Sequence, residues 1–290
     1  QKDVTLAGIF SRTRTRAEEL AGTFDQLTVY DTLEKLIHEG GINALLVLVS
    51  ADQIYSVVKD ACCFGVPLFI EKPPGLSPEE TKELADLAED HSVINMVGFN
   101  RRYYSVFHKG LEIVKAHGAL LGVAIEGHER FWKIADRVSS SVRDNWIYAN
   151  STHTIDLLRF FGGEPTEVHS LTHSHIESGG DQFATTIRFD SGALGNYSSH
   201  WYSPGGWAVR LFGEGVTVEF KPLEKASWFD TEFQRHDIPP DDVDLAFKPG
   251  FFGQMEAFVQ LANSEPLQWP VQDLRQAAKT MYLTSRIHSG

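Results

Sequence analysis

Cysteine is almost absent from this chain: Cys62 and Cys63 are the only two among 290 residues, and they are adjacent. Neighbouring cysteines do not readily close a disulfide, so no disulfide framework is expected and a reducing, cytoplasmic compartment is the default. Apolar runs of about 20 residues are missing too, which argues against a helical membrane span. No secretory signal opens the sequence. Positive charge is scarce: 26 Lys and Arg against 39 Asp and Glu give a formal net charge of −13. That balance disfavours a nucleic-acid or anionic-membrane partner. Low-complexity tracts are lacking, and the length suits about two domains. Gln1-Lys2-Asp3 carries no initiator Met, as expected of a chain that starts inside a longer protein.

What is present in the first hundred residues is an alternation of apolar and amphipathic segments. Residues 4–10, 29–30, 44–49, 67–70 and 93–99 read as strands, the third as one buried on both faces. The first helix between them shows a capping box at Thr15 and Glu18, and the second carries Leu33, Leu36 and Ile37. Asp52 is placed to cap the third, whose Ile54, Val57, Val58, Ala61 and Cys62 fall at helical spacing. The fourth has Ser77 as N-cap, Pro78 at N1 and Glu80 at N3. Repeated β-α units with short turns predict a doubly wound parallel sheet, an α/β fold. After Tyr103 the grammar changes. Residues 164–220 are mostly strand, with hairpin turns at Asp190-Ser191-Gly192 and Gly213-Glu214-Gly215, and helices near 251–263 and 271–289 close the chain. The predicted division is therefore a dinucleotide-type unit over 1–103 and an α+β unit over 104–290 for substrate binding and oligomerisation. Its large, mainly antiparallel sheet would leave one face for subunit contacts, giving a homodimer or homotetramer.

One expected feature is missing. No Gly-x-Gly-x-x-Gly follows any of these strands, so the sheet is read as N-terminally incomplete, its first strand and phosphate loop lying upstream of Gln1. The strand at 4–10 then becomes the second of its sheet, where an acidic residue meets a ribose 2′-hydroxyl or an Arg meets a 2′-phosphate. It ends in Ser11-Arg12, which favours NADP over NAD. The strand at 67–70 runs into Glu71-Lys72-Pro73, placing a lysine at the carboxyl end of a buried strand, where ligands of open α/β sheets sit. His153 opens a helix, with Asp156 three residues on and available to orient it. His169, His173 and His175 share strand parity, but about 13 Å of strand rise separates the first two, so no metal site is expected.

Taken in order, Glu71-Lys72-Pro73, Gly98-Phe99-Asn100-Arg101-Arg102-Tyr103 and His153-x-x-Asp156 resemble the glucose–fructose oxidoreductase / inositol dehydrogenase (Gfo/Idh/MocA) family. The resemblance runs over essentially the whole chain and implies a Rossmann-like first domain. It also implies an NAD(P)-dependent oxidoreductase acting on a sugar, polyol or sugar-derived carbonyl. Lys72 and His153 would meet beside the nicotinamide, His153 as the general base and Lys72 as its electrostatic partner. Ser11, Arg12, Ser50, Glu71, Lys72, Asn100 and Arg101 would contact the cofactor. Lys72, Arg102, Trp132, Trp146, Asn150 and His153 would contact the substrate. The chain departs from the pattern at Ala149, where many members carry Asp, and at Ile54, where many carry His. Two alternatives accompany this reading: a non-redox lyase or glycosidase working by transient hydride removal, and a non-catalytic binding or assembly homologue.

Overall fold

The computed structural model describes residues 4–290; Gln1, Lys2 and Asp3 lie outside the described residues. Strands β1 (Gly8–Phe10), β2 (Thr28–Tyr30), β3 (Leu45–Val47), β4 (Leu68–Ile70) and β5 (Asn95–Val97) alternate with helices α1 (Arg14–Ala21), α2 (Leu33–Glu39), α3 (Ala51–Cys62) and α4 (Pro78–Asp90). All pairings among these strands are parallel. The expected single sheet is split, however, into β1–β2 and β3–β4–β5. The two parts share one hydrophobic core, built on Leu36, Val47, Ile54, Val58, Ile70 and Leu84, with Phe10 and Tyr30 against it.

Three local expectations change. β3 is shorter than the apolar run that produced it, and it is not buried on both faces: Leu46, at its middle, is 37% exposed. Among the described residues β3 pairs only with β4, so one edge and the side chains near it stay open. The capping box at Thr15 does not form, because α1 begins at Arg14, which puts Thr15 inside the helix, and Glu18 accepts from Arg14 instead. Asp52 does not cap α3. Ser50 holds the N-cap position, and Asp52 accepts from the hydroxyls of Ser50 (2.7 Å) and Ser139 (3.0 Å). The α4 cap forms as the sequence predicts: Ser77 Oγ accepts from the Glu80 amide at 3.1 Å, and Glu80 Oε2 reaches back to the Leu76 amide at 2.7 Å.

Beyond Tyr103 come α5 (Ser105–His117), β6 (Leu120–Gly127), α6 (Ser140–Asp144) and α7 (Thr152–Gly162). Then follow β7 (Pro165–His173), β8 (Gln182–Phe189), β9 (Leu194–His200), β10 (Trp207–Gly213), β11 (Val216–Phe220), β12 (Ala226–Phe229) and β13 (Arg235–Ile238). These form one eight-stranded sheet in the order β13-β12-β11-β10-β6-β9-β8-β7. It is antiparallel except where β6 runs parallel to β9. α7 covers one face, and every residue of α7 is buried. On the other face Leu171 and Leu194 are exposed.

Helices α8 (Asp242–Ala246), α9 (Phe251–Ala262) and α10 (Leu274–Ser289) close the chain, and the last two return to the first unit. Phe258, Leu261 and Val271 pack on Phe69 and Met96. The Val97 amide donates to the Gln272 carbonyl at 2.7 Å, and the Leu274 amide donates to Asn95 Oδ1 at 2.7 Å. The chain thus crosses the predicted 103/104 boundary a second time. This return clamps the carboxyl ends of β4 and β5 against α7.

Candidate active site

A cavity of about 490 Å³ opens where these carboxyl ends meet the segment before α7. Its wall includes Ser50, Asp52, Glu71, Lys72, Arg137, Ser139, Trp146, Ala149 and Asn150. The β4 strand delivers Lys72 there: Leu68, Phe69 and Ile70 are buried, so the chain emerges from the sheet at Glu71 and the lysine points across the gap. Lys72 Nζ donates to the Ala149 carbonyl at 2.8 Å. Burial lowers the Lys72 pKa to about 8, with Arg101 adding to the fall and Glu71 and Glu129 opposing it.

The carbonyl that receives Lys72 belongs to a π-helical turn, Ile147–Ser151, running straight into α7. Such turns widen the backbone by one residue and recur at functional sites. His153 follows, buried, and Arg101 Nη1 lies 2.7 Å from its Nδ1. Arg101 also donates to Asn100 Oδ1 at 3.1 Å and lies over the Trp207 ring at 4.5 Å. Burial drives the His153 pKa well below its ordinary value, and the charges of Lys72, Arg101 and Lys248 push the same way. A guanidinium has donors only. The contact with Arg101 therefore requires a neutral imidazole that accepts at Nδ1 and carries its proton on Nε2.

Several predicted site residues sit on the cavity: Ser50, Glu71, Lys72, Trp146 and Asn150. Others go elsewhere. Arg102 turns into the core, where it forms a bidentate pair with Asp156 (Nε–Oδ2 2.6 Å, Nη2–Oδ1 2.9 Å). Asp156 is therefore committed to Arg102, and to Thr280 Oγ1 at 2.8 Å, rather than to orienting His153. Asn100 is buried and donates to the Pro249 carbonyl at 3.3 Å. Trp132 is 43% exposed and stands beside Tyr202 rather than on the cavity wall. Ser11 and Arg12 lie at the carboxyl end of β1, where Ser11 Oγ accepts from the Thr13 amide at 3.2 Å. The Asp52 pKa is lowered first by the Ser50 hydroxyl and least, among the causes found, by the charge of Arg12. His175 lies beyond β7 in a turn whose amides donate to Asp181.

Sequence reasoning missed Glu129. It stands just past β6, 5% exposed, and accepts from Asn150 Nδ2 at 2.9 Å and Ser151 Oγ at 3.1 Å. Burial raises its pKa to about 7, against the pull of Ser151, Asn150, Lys72 and Arg101. A glutamate between His128 and Arg130 reads as the solvated rim of a strand, and only its contacts with residues 150 and 151 show otherwise.

A parallel β-α half thus has a cleft at its strand ends that holds Lys72, with His153 buried behind the turn that Lys72 meets. Residues 1–99 match the oxidoreductase family GFO_IDH_MocA, NAD-binding Rossmann fold, and residues 120–219 match the GFO/IDH/MocA C-terminal domain. The chain belongs to the Gfo/Idh/MocA oxidoreductase family. It is similar to D-xylose 1-dehydrogenase (NADP(+)) 2 of Haloferax volcanii, 25% identical over 202 residues, 68% of this chain and 62% of that protein. It is also similar to scyllo-inositol 2-dehydrogenase (NAD(+)) of Bacillus subtilis, 27% identical over 203 residues, 67% of this chain and 59% of that one. The matches thus span about three fifths of both relatives' length. A solved dehydrogenase from Chromobacterium violaceum shares the fold, with a TM-score of 0.85 at 20% identity over 99% of this chain and 87% of that one. No helix among the described residues is long and apolar enough to cross a membrane.

Proposed function

We propose that this chain is the catalytic part of an NAD(P)-dependent oxidoreductase that exchanges hydride with a sugar, polyol or sugar-derived carbonyl. The observation that carries the reading is the meeting of Lys72 with the turn that leads into His153. The residues present suit the cofactor. The amino end of α3 opens on the cavity at Ser50 and Ala51, where backbone N–H groups and the helix dipole favour an anionic group. Arg12, which forms no ion pair among the described residues, suits a ribose 2′-phosphate, so NADP is the preferred cofactor. A nicotinamide held there would supply the hydride acceptor and donor for the carbinol carbon.

The chain's own task is the proton. With Nδ1 held by Arg101, His153 donates a hydrogen bond from Nε2 to the substrate oxygen and does not take its proton. Lys72, with a pKa of about 8, exchanges that proton at Nζ: the amine accepts it on oxidation and the ammonium returns it on reduction. These roles reverse the assignment implied by resemblance. Asn150, Ser139 and Arg137 offer hydrogen-bonding groups to hydroxyls, and Trp146 offers an apolar wall. Both relatives are named for polyhydroxylated substrates, which supports the same class. We assign the open face of the eight-stranded sheet, with Leu171 and Leu194, to a second copy of the chain.

The test is a spectrophotometric panel of D-xylose, scyllo-inositol and myo-inositol with NADP⁺ and NAD⁺. Reduced cofactor is expected with at least one polyol, faster with NADP⁺. Lys72→Met is expected to lower kcat by about 10²–10³-fold while NADPH still quenches tryptophan fluorescence. Absence of quenching by both reduced cofactors, with the coding sequence upstream of Gln1 included in the protein, would overturn the reading.

A further inference from the structure

The mechanism above gives Glu129 no part, yet this carboxylate is buried within the same charge cluster. We propose that Glu129 is a positioning residue for Lys72: it holds the turn that presents the Ala149 carbonyl to Lys72 Nζ, and its negative charge keeps that amine protonated. The proposal rests on reading Lys72 as the proton-exchanging group.

Two features of the geometry lead there. First, both carboxylate oxygens are used, Oε2 by Asn150 and Oε1 by Ser151, the two residues directly after Ala149. A displacement of either would carry the Ala149 carbonyl away from Lys72, which it meets at 2.8 Å. A π turn leaves backbone groups without the usual helical partners, so side-chain anchors set its shape. Gly127, two residues earlier, allows the approach of β9: a Cβ there would stand 2.5 Å from the Tyr197 hydroxyl. Tyr197 in turn meets Thr154 Oγ1 at 3.3 Å and closes the far side of the turn.

Second, the charges alternate. The groups facing Glu129 are Lys72 after β4, Arg101 after β5, Tyr197 on β9, and the neutral Asn150 and Ser151 on the turn. Those facing Lys72 are Glu71, Arg101, Glu129 and the neutral His153. Burial pushes Lys72 toward the free amine and Glu129 toward the free acid, and each opposes the other's neutralisation. Removing the carboxylate charge leaves Arg101 less balanced and makes Lys72 give up its proton more readily. Loosening the fold would do the opposite, returning Lys72 toward an ordinary lysine. The two effects move the midpoint of the amine's titration in opposite directions, whereas greater exposure of the amine raises its reactivity at every pH alike.

The experiment is competitive labelling of Lys72 with trace acetic anhydride as a function of pH, read by mass spectrometry on the whole chain. Glu129→Gln is expected to move the midpoint of the labelling profile down, raising acetylation of Lys72 near neutral pH about threefold to tenfold relative to its own high-pH plateau, since each pKa unit is worth tenfold in free amine. Glu129→Asp, which keeps the charge, is expected to stay within about twofold of wild type. Ser151→Ala removes one bond to the ionised acid and is expected to act as Glu129→Gln does, more weakly; it serves if Glu129→Gln fails to fold. An unchanged or raised midpoint in folded Glu129→Gln, or in Ser151→Ala where that replaces it, would overturn the proposal. Labelling reads the amine without turnover. A chain that binds no cofactor would defeat the proposed function, while the labelling rates would still decide the role of Glu129.

Discussion

At neutral pH Lys72 carries a charge that its surroundings disfavour, and this tension makes it useful. Its folded pKa, about 8, lies below that of an unfolded lysine. Stability linked to this group is therefore full above the unfolded value and lost as pH falls from there through about 8. Lys72→Met should be more stable than wild type near neutral pH by about 1–2 kcal/mol, after the lost bond to the Ala149 carbonyl is counted. Urea unfolding measures this, and the gap should narrow as pH rises above about 8. A destabilised Lys72→Met would mean that the amine is held for structure. Lys72 was legible because an apolar strand ends in Glu-Lys-Pro. His153 was legible as a polar residue at a helix start, but its tautomer was not, since that depends on Arg101 from a distant turn. Nor could sequence say which of the neighbours Arg101 and Arg102 meets His153 and which pairs with Asp156.

At the scale of elements, α7 is the part on which the site depends. It is buried throughout, so its polar residues must find partners inside. Asp156 takes Arg102 and Thr280, and Arg159 donates to the Gln276 carbonyl at 2.9 Å and to Thr280 Oγ1 at 2.8 Å. The turn after β5, α7 and α10 are joined by this network, which fixes the register of the helix carrying His153. Asp156→Ala should cost about 3–5 kcal/mol, because it leaves the Arg102 guanidinium buried and unpaired. Chemical denaturation followed by circular dichroism checks this, and a loss under about 1 kcal/mol would show that Arg102 finds water or another partner. The α4 cap was readable because Ser, Pro and Glu stand at N-cap, N1 and N3. The caps of α1 and α3 were misread: Asp52 is drawn instead to Ser139, across the cleft. The π turn had no signature, since apolar spacing alone does not distinguish it from a helical turn.

For the whole molecule, strand–helix alternation followed by long alternating strands carried both halves of the fold. The split of the first sheet and the return of α9 and α10 did not follow from it. Those features depend on which strand edges pair and on long-range contacts such as Phe69 with Phe258. Together the halves bring Lys72 to the cleft with Arg101, Glu129 and His153 in the charge cluster around it, and the central claim is that Lys72 moves the proton while His153 stays neutral. The pH dependence of kcat/KM for alcohol oxidation tests this most directly, with the polyol that responds in the panel. The expected rate rises with pH through a midpoint near 8, and this dependence persists in His153→Asn at reduced rate and disappears in Lys72→Met. A midpoint well below the ordinary histidine value, lost in His153→Asn and kept in Lys72→Met, would contradict it.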